Sequence, residues 1–202
     1  MNWKVIVGIS LLVVVSVSAG LYYGVPAAAN STGQNAFTLT LVLASLESPN
    51  STLSGQYVFF QQENGVLESS AVINAPLGRL VRIVIINHDP GTDSLLTPSA
   101  NSVTGTLNDQ MQLFVGTSVP SADITSGTGS SVCSQLGGSD ISHTFTTSTG
   151  LNIPIAPNST EVTYTYFNTP GTISWGCMCE CGQFSMSTPG WMMGEIVVAP
   201  SY

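Results

Sequence analysis

Three cysteines near the C-terminal end of the chain are the residues best suited to chemistry. Cys177, Cys179 and Cys181 occupy every second position, and a stretch rich in Met and Gly follows them. Thiolates bind soft transition metals, and thioethers act as weak axial donors. A short loop that carries both groups is typical of a copper electron-transfer site.

Two histidines, His88 and His143, are the only imidazoles in the chain. His143 lies in a segment with strand character, where a lone histidine is commonly a hydrogen-bonded core or rim residue and is also a candidate metal ligand. His88 stands in the turn-like sequence Asn87-His88-Asp89-Pro90-Gly91, which favours a surface turn. It is nevertheless the one imidazole that could join His143 in a site.

The cysteines also have a structural interpretation. Outside the cytoplasm, Cys133 and the three clustered cysteines could form disulfides, with three possible connectivities. A pair that includes Cys133 would leave two thiols for a metal ion. Alternatively, all three clustered thiolates hold metal, or all four cysteines do so in a zinc or iron-sulfur arrangement. A structural zinc site is the weakest alternative, because the chain lacks two separated Cys-x-x-Cys pairs.

Short segments of alternating polar and apolar residues predict an all-β domain. Clusters of Gly, Pro, Asn and Ser separate them, and no long amphipathic helix pattern is present. This rhythm favours a sandwich or small barrel, interrupted by a long inserted loop at 89–141 that includes one further candidate strand, 111–116. The other predicted strands are 37–43, 56–61, 66–72, 79–86, 143–147, 162–166, 172–175 and 194–199.

The N-terminal residues 1–27 are predicted to be a transmembrane anchor. The run from Val5 to Val25 contains no charge and is long enough to cross a hydrocarbon layer of about 30 Å. Lys4 is the basic residue beside it, so the positive-inside rule places the N-terminus in the cytoplasm and residues 28–202 outside the cell membrane. The alternative is a cleaved signal peptide, since Ala27-Ala28-Ala29 resembles a processing site.

The charge balance excludes some partners. Charged residues make up 7% of the chain, against about 25% in an ordinary soluble domain. Eleven carboxylates face three basic side chains, for a formal net charge of −8, so nucleic-acid binding is not expected. A surface carried by hydroxyls and amides suggests, as a hypothesis, the acidic exterior of an acidophilic archaeon. Asn30, Asn50 and Asn158 match the N-glycosylation pattern.

The last sixty residues resemble the cupredoxins in the order of their motifs. The segments concerned are Asp140-Ile141-Ser142-His143-Thr144-Phe145-Thr146, Leu151-Asn152-Ile153-Pro154-Ile155, Thr169-Pro170-Gly171-Thr172-Ile173-Ser174-Trp175, Cys177, and Met192-Met193-Gly194-Glu195-Ile196-Val197-Val198. The resemblance implies a cupredoxin-like β-sandwich with a copper site at one end. In this family, a His beside a Phe-bearing strand and a loop with Cys, a second His and Met hold the metal.

Two branches of the family are similar to this chain. The spacing of Cys177 and Cys181 resembles subunit II of archaeal haem-copper oxidases, in which paired thiolates bridge a dinuclear copper centre. That resemblance implies Cys177 and Cys181 as bridging ligands, His143 as nitrogen ligand, Met192 as axial donor and the carbonyl of Cys179 as a further ligand. The second branch holds mononuclear blue-copper proteins similar to sulfocyanin and rusticyanin.

The chain departs from both patterns at the second imidazole. The subunit II motif has a His four residues after its second Cys, where this chain has Ser185, and the blue-copper motif has Gly-His where this chain has Gly182-Gln183. A site with one imidazole binds copper more weakly. Two outcomes therefore stay open: a copper centre of reduced affinity, or a site that has lost its copper and is empty or closed by a disulfide.

The sequence predicts a non-catalytic, subunit II-like component of a membrane-bound respiratory terminal oxidase. The expected partners are the haem-bearing subunit I and other membrane subunits, with a quinol or small redox protein as electron donor. The alternatives are a free-standing, membrane-anchored blue-copper carrier and a non-redox surface or filament protein. No catalytic residues are assigned, because neither histidine accompanies a recognisable nucleophile motif.

Overall fold

The computed structural model describes residues 36–46, 56–118, 130–182 and 184–200. Within these residues the chain forms twelve β-strands and two single-turn 3-10 helices, Pro98–Asn101 and Leu107–Asp109. The strands are β1 (Phe37–Ser45), β2 (Tyr57–Glu63), β3 (Val66–Ser69), β4 (Val72–Pro76), β5 (Leu80–Asn87), β6 (Met111–Val115), β7 (Ser130–Cys133), β8 (His143–Thr147), β9 (Asn152–Ile155), β10 (Ser159–Tyr166), β11 (Gly171–Gly176) and β12 (Met193–Ala199).

The strands form two sheets that pack as a sandwich. One sheet has seven strands in the order β3-β2-β1-β5-β10-β6-β7, and the other has five in the order β4-β12-β11-β8-β9. Most neighbours are antiparallel, but β1 pairs with β5 and β4 pairs with β12 in parallel. The predicted all-β class is confirmed, and the two-sheet architecture is consistent with a cupredoxin-like sandwich.

The core lies between the sheets and contains an aromatic cluster of Phe59, Phe145 and Trp175. The ring of Trp175 lies 5.3 Å from each of the two phenylalanine rings, and Phe59 meets it edge-on at 80°. Such aromatic contacts add about 0.5–1.5 kcal/mol each beyond the burial of their surface. Phe59 belongs to the seven-stranded sheet and the other two to the five-stranded sheet, so the cluster fixes the sheets against each other.

One predicted strand is wrong in its extent. The segment 66–72 divides into β3 and β4, which belong to different sheets. The buried hydroxyl of Ser70 donates to the carbonyl oxygens of Phe59 and Gly190, at 2.7 and 3.2 Å, and fixes the crossing between the sheets. The burial of side chains differs on the two sides of this crossing: all four residues of β3 are exposed, whereas β4 buries Ile73, Ala75 and Pro76.

The segment predicted as an inserted loop at 89–141 contains β6, β7 and both 3-10 helices. Residues 105–110 of this segment contact β10, whose buried side chains include Thr163 and Thr165. The hydroxyls of Thr163 and Thr165 donate to the carbonyl oxygens of Gln110 and Gly105, at 2.7 and 2.8 Å. The segment therefore satisfies buried polar groups that the opposite sheet leaves uncovered.

Glu161, also on β10, is almost completely buried. One carboxyl oxygen accepts hydrogen bonds from the backbone N–H of Ala156 and the hydroxyl of Ser159, and the other has no partner within the described part of the chain. Burial raises the pKa of Glu161 to about 8, although these hydrogen bonds oppose the shift. Glu161 is therefore a neutral acid between about pH 4.5 and pH 8, where an ordinary glutamate is charged.

The predicted anchor lies outside the described residues. Among the residues that the structure does describe, no helix is long and apolar enough to cross a bilayer.

Candidate metal centre

Three turns at one end of the sandwich bring the candidate ligands together. His143 is the first residue of β8, and the loop from Cys177 to Met192 joins β11 to β12. Asp89 follows β5 by two residues and reaches the same end. The aromatic cluster in the core supports this arrangement, because Phe145 lies two residues from His143 and Trp175 lies two residues from Cys177.

His143, Cys177 and Cys181 form a compact cluster of donor atoms. The Sγ atoms of the two cysteines are 3.0 Å apart, and His143 Nδ1 lies 3.2 Å from Cys181 Sγ. All three donor atoms lie within 4.8 Å of one another. Atoms that share an ion through bonds of about 2.0–2.3 Å can be separated by up to roughly 4.6 Å. The three side chains therefore suit a single metal ion almost as they stand.

Asp89 orients the imidazole of His143. Its Oδ2 lies 2.8 Å from His143 Nε2, while Nδ1 faces the sulfur atoms. Burial by itself would lower the pKa of His143, but its hydrogen bonds to Asp89 and to the thiolate of Cys177 raise it to about 9. Burial would likewise raise the pKa of Asp89, and the bond to His143 outweighs it and lowers that pKa. A carboxylate behind a metal-ligating histidine fixes both its tautomer and its direction.

Cys177 is the cysteine of the cluster whose pKa is lowered. Burial alone would raise its pKa, but hydrogen bonds from Cys179, Cys181 and His143, together with the charge of the imidazole, hold the pKa well below its usual range. The backbone N–H of Thr144 also donates to Cys177 Sγ at 3.3 Å. The pKa values of the Cys179 and Cys181 thiols are raised, and the main cause is the hydrogen bond that each makes with Cys177.

The two remaining predicted ligands are Met192, which lines the cavity at the site, and Cys179, which lies outside the three-residue cluster. Met192 is fully buried and lines a cavity of about 270 Å³ together with His143 and Cys181. Cys179 is also buried but is not a member of the three-residue cluster. Its carbonyl oxygen accepts from the N–H of Cys181 at 2.9 Å, which closes the turn between the two clustered cysteines.

His88 and Cys133 stay outside the cluster. His88 is exposed and lies between the last residue of β5, Asn87, and Asp89. Cys133 lies on β7, paired in register with Met111, and burial raises the pKa of its thiol. All four cysteines are described by the structure, and all four are free. The disulfides considered from the sequence are therefore not formed.

The position expected to carry the second imidazole is filled by a polar pair. Ser185 is fully buried, and its hydroxyl donates to Gln56 Oε1 at 2.8 Å. The N–H of Met192 donates to the carbonyl oxygen of Ser185, which fixes the loop at this point.

Sequence reasoning missed two residues of the site, Asp89 and Gln56. The signal for Asp89 was present in the turn sequence around His88, but its distance of 54 residues from His143 hid the contact. Gln56 carries no motif at all. Gln56 directly precedes β2 and joins the site through its hydrogen bond with Ser185.

The donor set suits copper. Two thiolates, one imidazole and a nearby thioether are soft or borderline ligands, which select copper over the hard cations that prefer oxygen. The cluster of His143, Cys177 and Cys181 thus supports copper as the cofactor.

No protein-family profile and no curated protein matches this sequence. Among solved structures, the chain is similar to a copper nitrite reductase from Nitrosomonas europaea, with 14% identity, a TM-score of 0.40, and coverage of 86% of this chain and 52% of that protein. It is also similar to a multicopper oxidase from Campylobacter jejuni, with 11% identity, a TM-score of 0.39, and coverage of 81% and 30%. The matched region spans about half or less of each protein, and no activity is transferred from either.

Proposed function

We propose that this chain is a copper-binding, cupredoxin-like subunit of a membrane-bound respiratory terminal oxidase, in which it relays electrons. The observation that carries the proposal is the cluster of His143, Cys177 and Cys181 at one end of a β-sandwich. The spacing of the two cysteines and the predicted anchor at residues 1–27 favour the oxidase subunit. A blue-copper carrier needs two imidazoles and one cysteine, and this site has the reverse.

The surroundings of the cluster suit electron transfer better than hydrolysis. Copper, when bound, would take up and release one electron. The protein's own residues hold the donor atoms in place: Asp89 fixes His143, the N–H of Thr144 contacts Cys177, and the aromatic cluster supports both ligand segments. A site held in this way changes its geometry little between charge states, so it transfers electrons with little reorganisation.

The proposed partners are the haem-bearing subunit I and other membrane subunits of the oxidase, with a quinol or a small redox protein as donor. Mild detergent solubilisation of native membranes followed by affinity purification of this chain tests this assignment. A co-purified haem-bearing membrane subunit would support the oxidase. A copper-loaded chain without haem partners would support the free-standing carrier, and a copper-free chain in a surface assembly would support the non-redox alternative.

Copper binding itself is tested on the purified chain. In the oxidised, cupric form of the site we expect absorption bands from thiolate-to-copper charge transfer, and we expect Cys177→Ser to abolish them. Cys133→Ser is the matched control, because it removes a free thiol that lies outside the cluster. Equal bands in the wild type and Cys177→Ser would contradict the assigned site.

A further inference from the structure

The number of imidazoles at the site limits how many copper ions it can hold. A dinuclear centre of the subunit II type uses a nitrogen ligand for each ion, in addition to the two shared thiolates. His143 supplies one such ligand. The other histidine of the chain, His88, is exposed and lies outside the cluster.

Ser185 occupies the position where the subunit II motif has its second imidazole. Ser185 is fully buried there, and its hydroxyl is committed to Gln56 Oε1 at 2.8 Å. The carbonyl oxygen of the same serine accepts from the N–H of Met192. A second copper ion at this position would therefore have no nitrogen donor. The Ser185 hydroxyl is the side-chain group there, and it is already hydrogen-bonded to Gln56.

The oxygen atoms around the cavity do not replace the missing ligand. Asp89 is bound to His143, and the carboxylates of Asp93 and Glu180 line the cavity without belonging to the cluster of donor atoms. The donors that do converge are soft, and soft sulfur donors favour cuprous over cupric copper.

We propose that the site holds a single copper ion, stabilised in the cuprous state, rather than a dinuclear centre. This inference rests on the proposed copper-binding function and specifies its form. Oxidation of the cuprous ion to the cupric state would pass one electron to a one-electron acceptor, the haem-bearing partner of the proposed complex, and a new electron from the quinol or small redox protein would restore the cuprous state. Because the ligands stabilise the reduced form, the reduction potential should be high, as a donor to an oxygen-reducing partner requires.

The test is metal stoichiometry on the full-length chain in detergent, loaded anaerobically with excess Cu(I) and then freed of weakly bound metal. We expect one copper per chain and no electron paramagnetic resonance signal until a strong one-electron oxidant is added. The oxidised signal should show hyperfine splitting from one copper nucleus. Two coppers per chain, or splitting from two equivalent nuclei, would overturn the single-ion site while leaving the copper function intact.

Other outcomes are equally decisive. No bound copper would defeat the proposed function together with this inference, and stoichiometric zinc retained against Cu(I) would overturn the cuprous preference. Ser185→His should raise the stoichiometry toward two by restoring a nitrogen donor, whereas Ser185→Ala should leave it at one. If Ser185→His does not fold, the number of copper ions per chain in the wild type and in Ser185→Ala still decides between one ion and two.

Discussion

Asp89 is the residue through which the fold orients the candidate ligand His143. Replacing Asp89 by Asn keeps the size of the side chain but removes the negative charge behind the imidazole. We expect copper affinity to fall about 10–100-fold, the range typical when such a supporting carboxylate is lost. Competition titration with a chromophoric Cu(I) chelator measures this.

Asp93→Asn is the matched control for that variant. Asp93 lines the same cavity and interacts with Cys181, but it is Asp89 that accepts the hydrogen bond from His143 Nε2. Equal losses of affinity in the two variants would mean that general negative charge, and not the orientation of the imidazole, sets the affinity.

Glu161 should make the fold more stable in acid. Its pKa is about 8 in the folded chain against an ordinary value of 4.5, so the folded state keeps a proton that the unfolded state releases between these values. The stabilisation is fully present below pH 4.5 and is lost as the pH rises through about 8. Chemical denaturation at a series of pH values should show this decline.

Glu161→Gln should flatten that pH profile, because glutamine is neutral throughout the range. Glu195→Gln, which changes an exposed carboxylate on β12, should retain the slope of the wild type. An unchanged slope in Glu161→Gln would show that another group carries the pH dependence.

At the scale of the elements, β11 and β12 approach each other closely next to the site. Gly194 faces Trp175 in register, and a Cβ atom there would lie 2.6 Å from Trp175 Nε1 and 2.7 Å from the carbonyl oxygen of Ala71. We expect Gly194→Ala to destabilise the fold by about 1–3 kcal/mol, as overpacking does. Thermal or chemical denaturation measures the loss.

Gly176→Ala is the control on the neighbouring pair of the same two strands. Its added Cβ would meet the carbonyl oxygen of Met192 at 3.6 Å, an ordinary van der Waals contact. Similar losses in both variants would mean that glycine is needed here for backbone freedom and not for the approach of Trp175.

The elements also show which parts of the fold could be predicted. Alternation identified β1, where Leu39, Leu41 and Leu43 all face the core. It missed β9, which contains Pro154. A proline is tolerated there because β9 is an edge strand of its sheet. The candidate ligands His143 and Cys177 could be named from the sequence because motifs mark them, and the structure places both in one cluster. Asp89 and Gln56 reach the site through long-range packing, which leaves no local pattern.

On the scale of the whole molecule, the expected topology is a single anchor at residues 1–27 with the β-sandwich outside the cell. We expect the full chain to remain in the membrane fraction after an alkaline carbonate wash, because the run from Val5 to Val25 is apolar and uncharged. Immunoblotting of pellet and supernatant measures this. Recovery of a soluble chain that begins near Asn30 would instead establish a cleaved signal peptide.

The wide separation of the site residues along the chain has a consequence for biogenesis. Asp89 and His143 are 54 residues apart, and Cys181 lies a further 38 residues on, just before the final strand. Contacts of such long range form late in folding. A newly made chain therefore exposes its thiols before any pocket exists to protect them, and metal can be acquired only by a nearly finished domain. Delivery of copper should accordingly be the last step of maturation, with thiol oxidation as its main competitor.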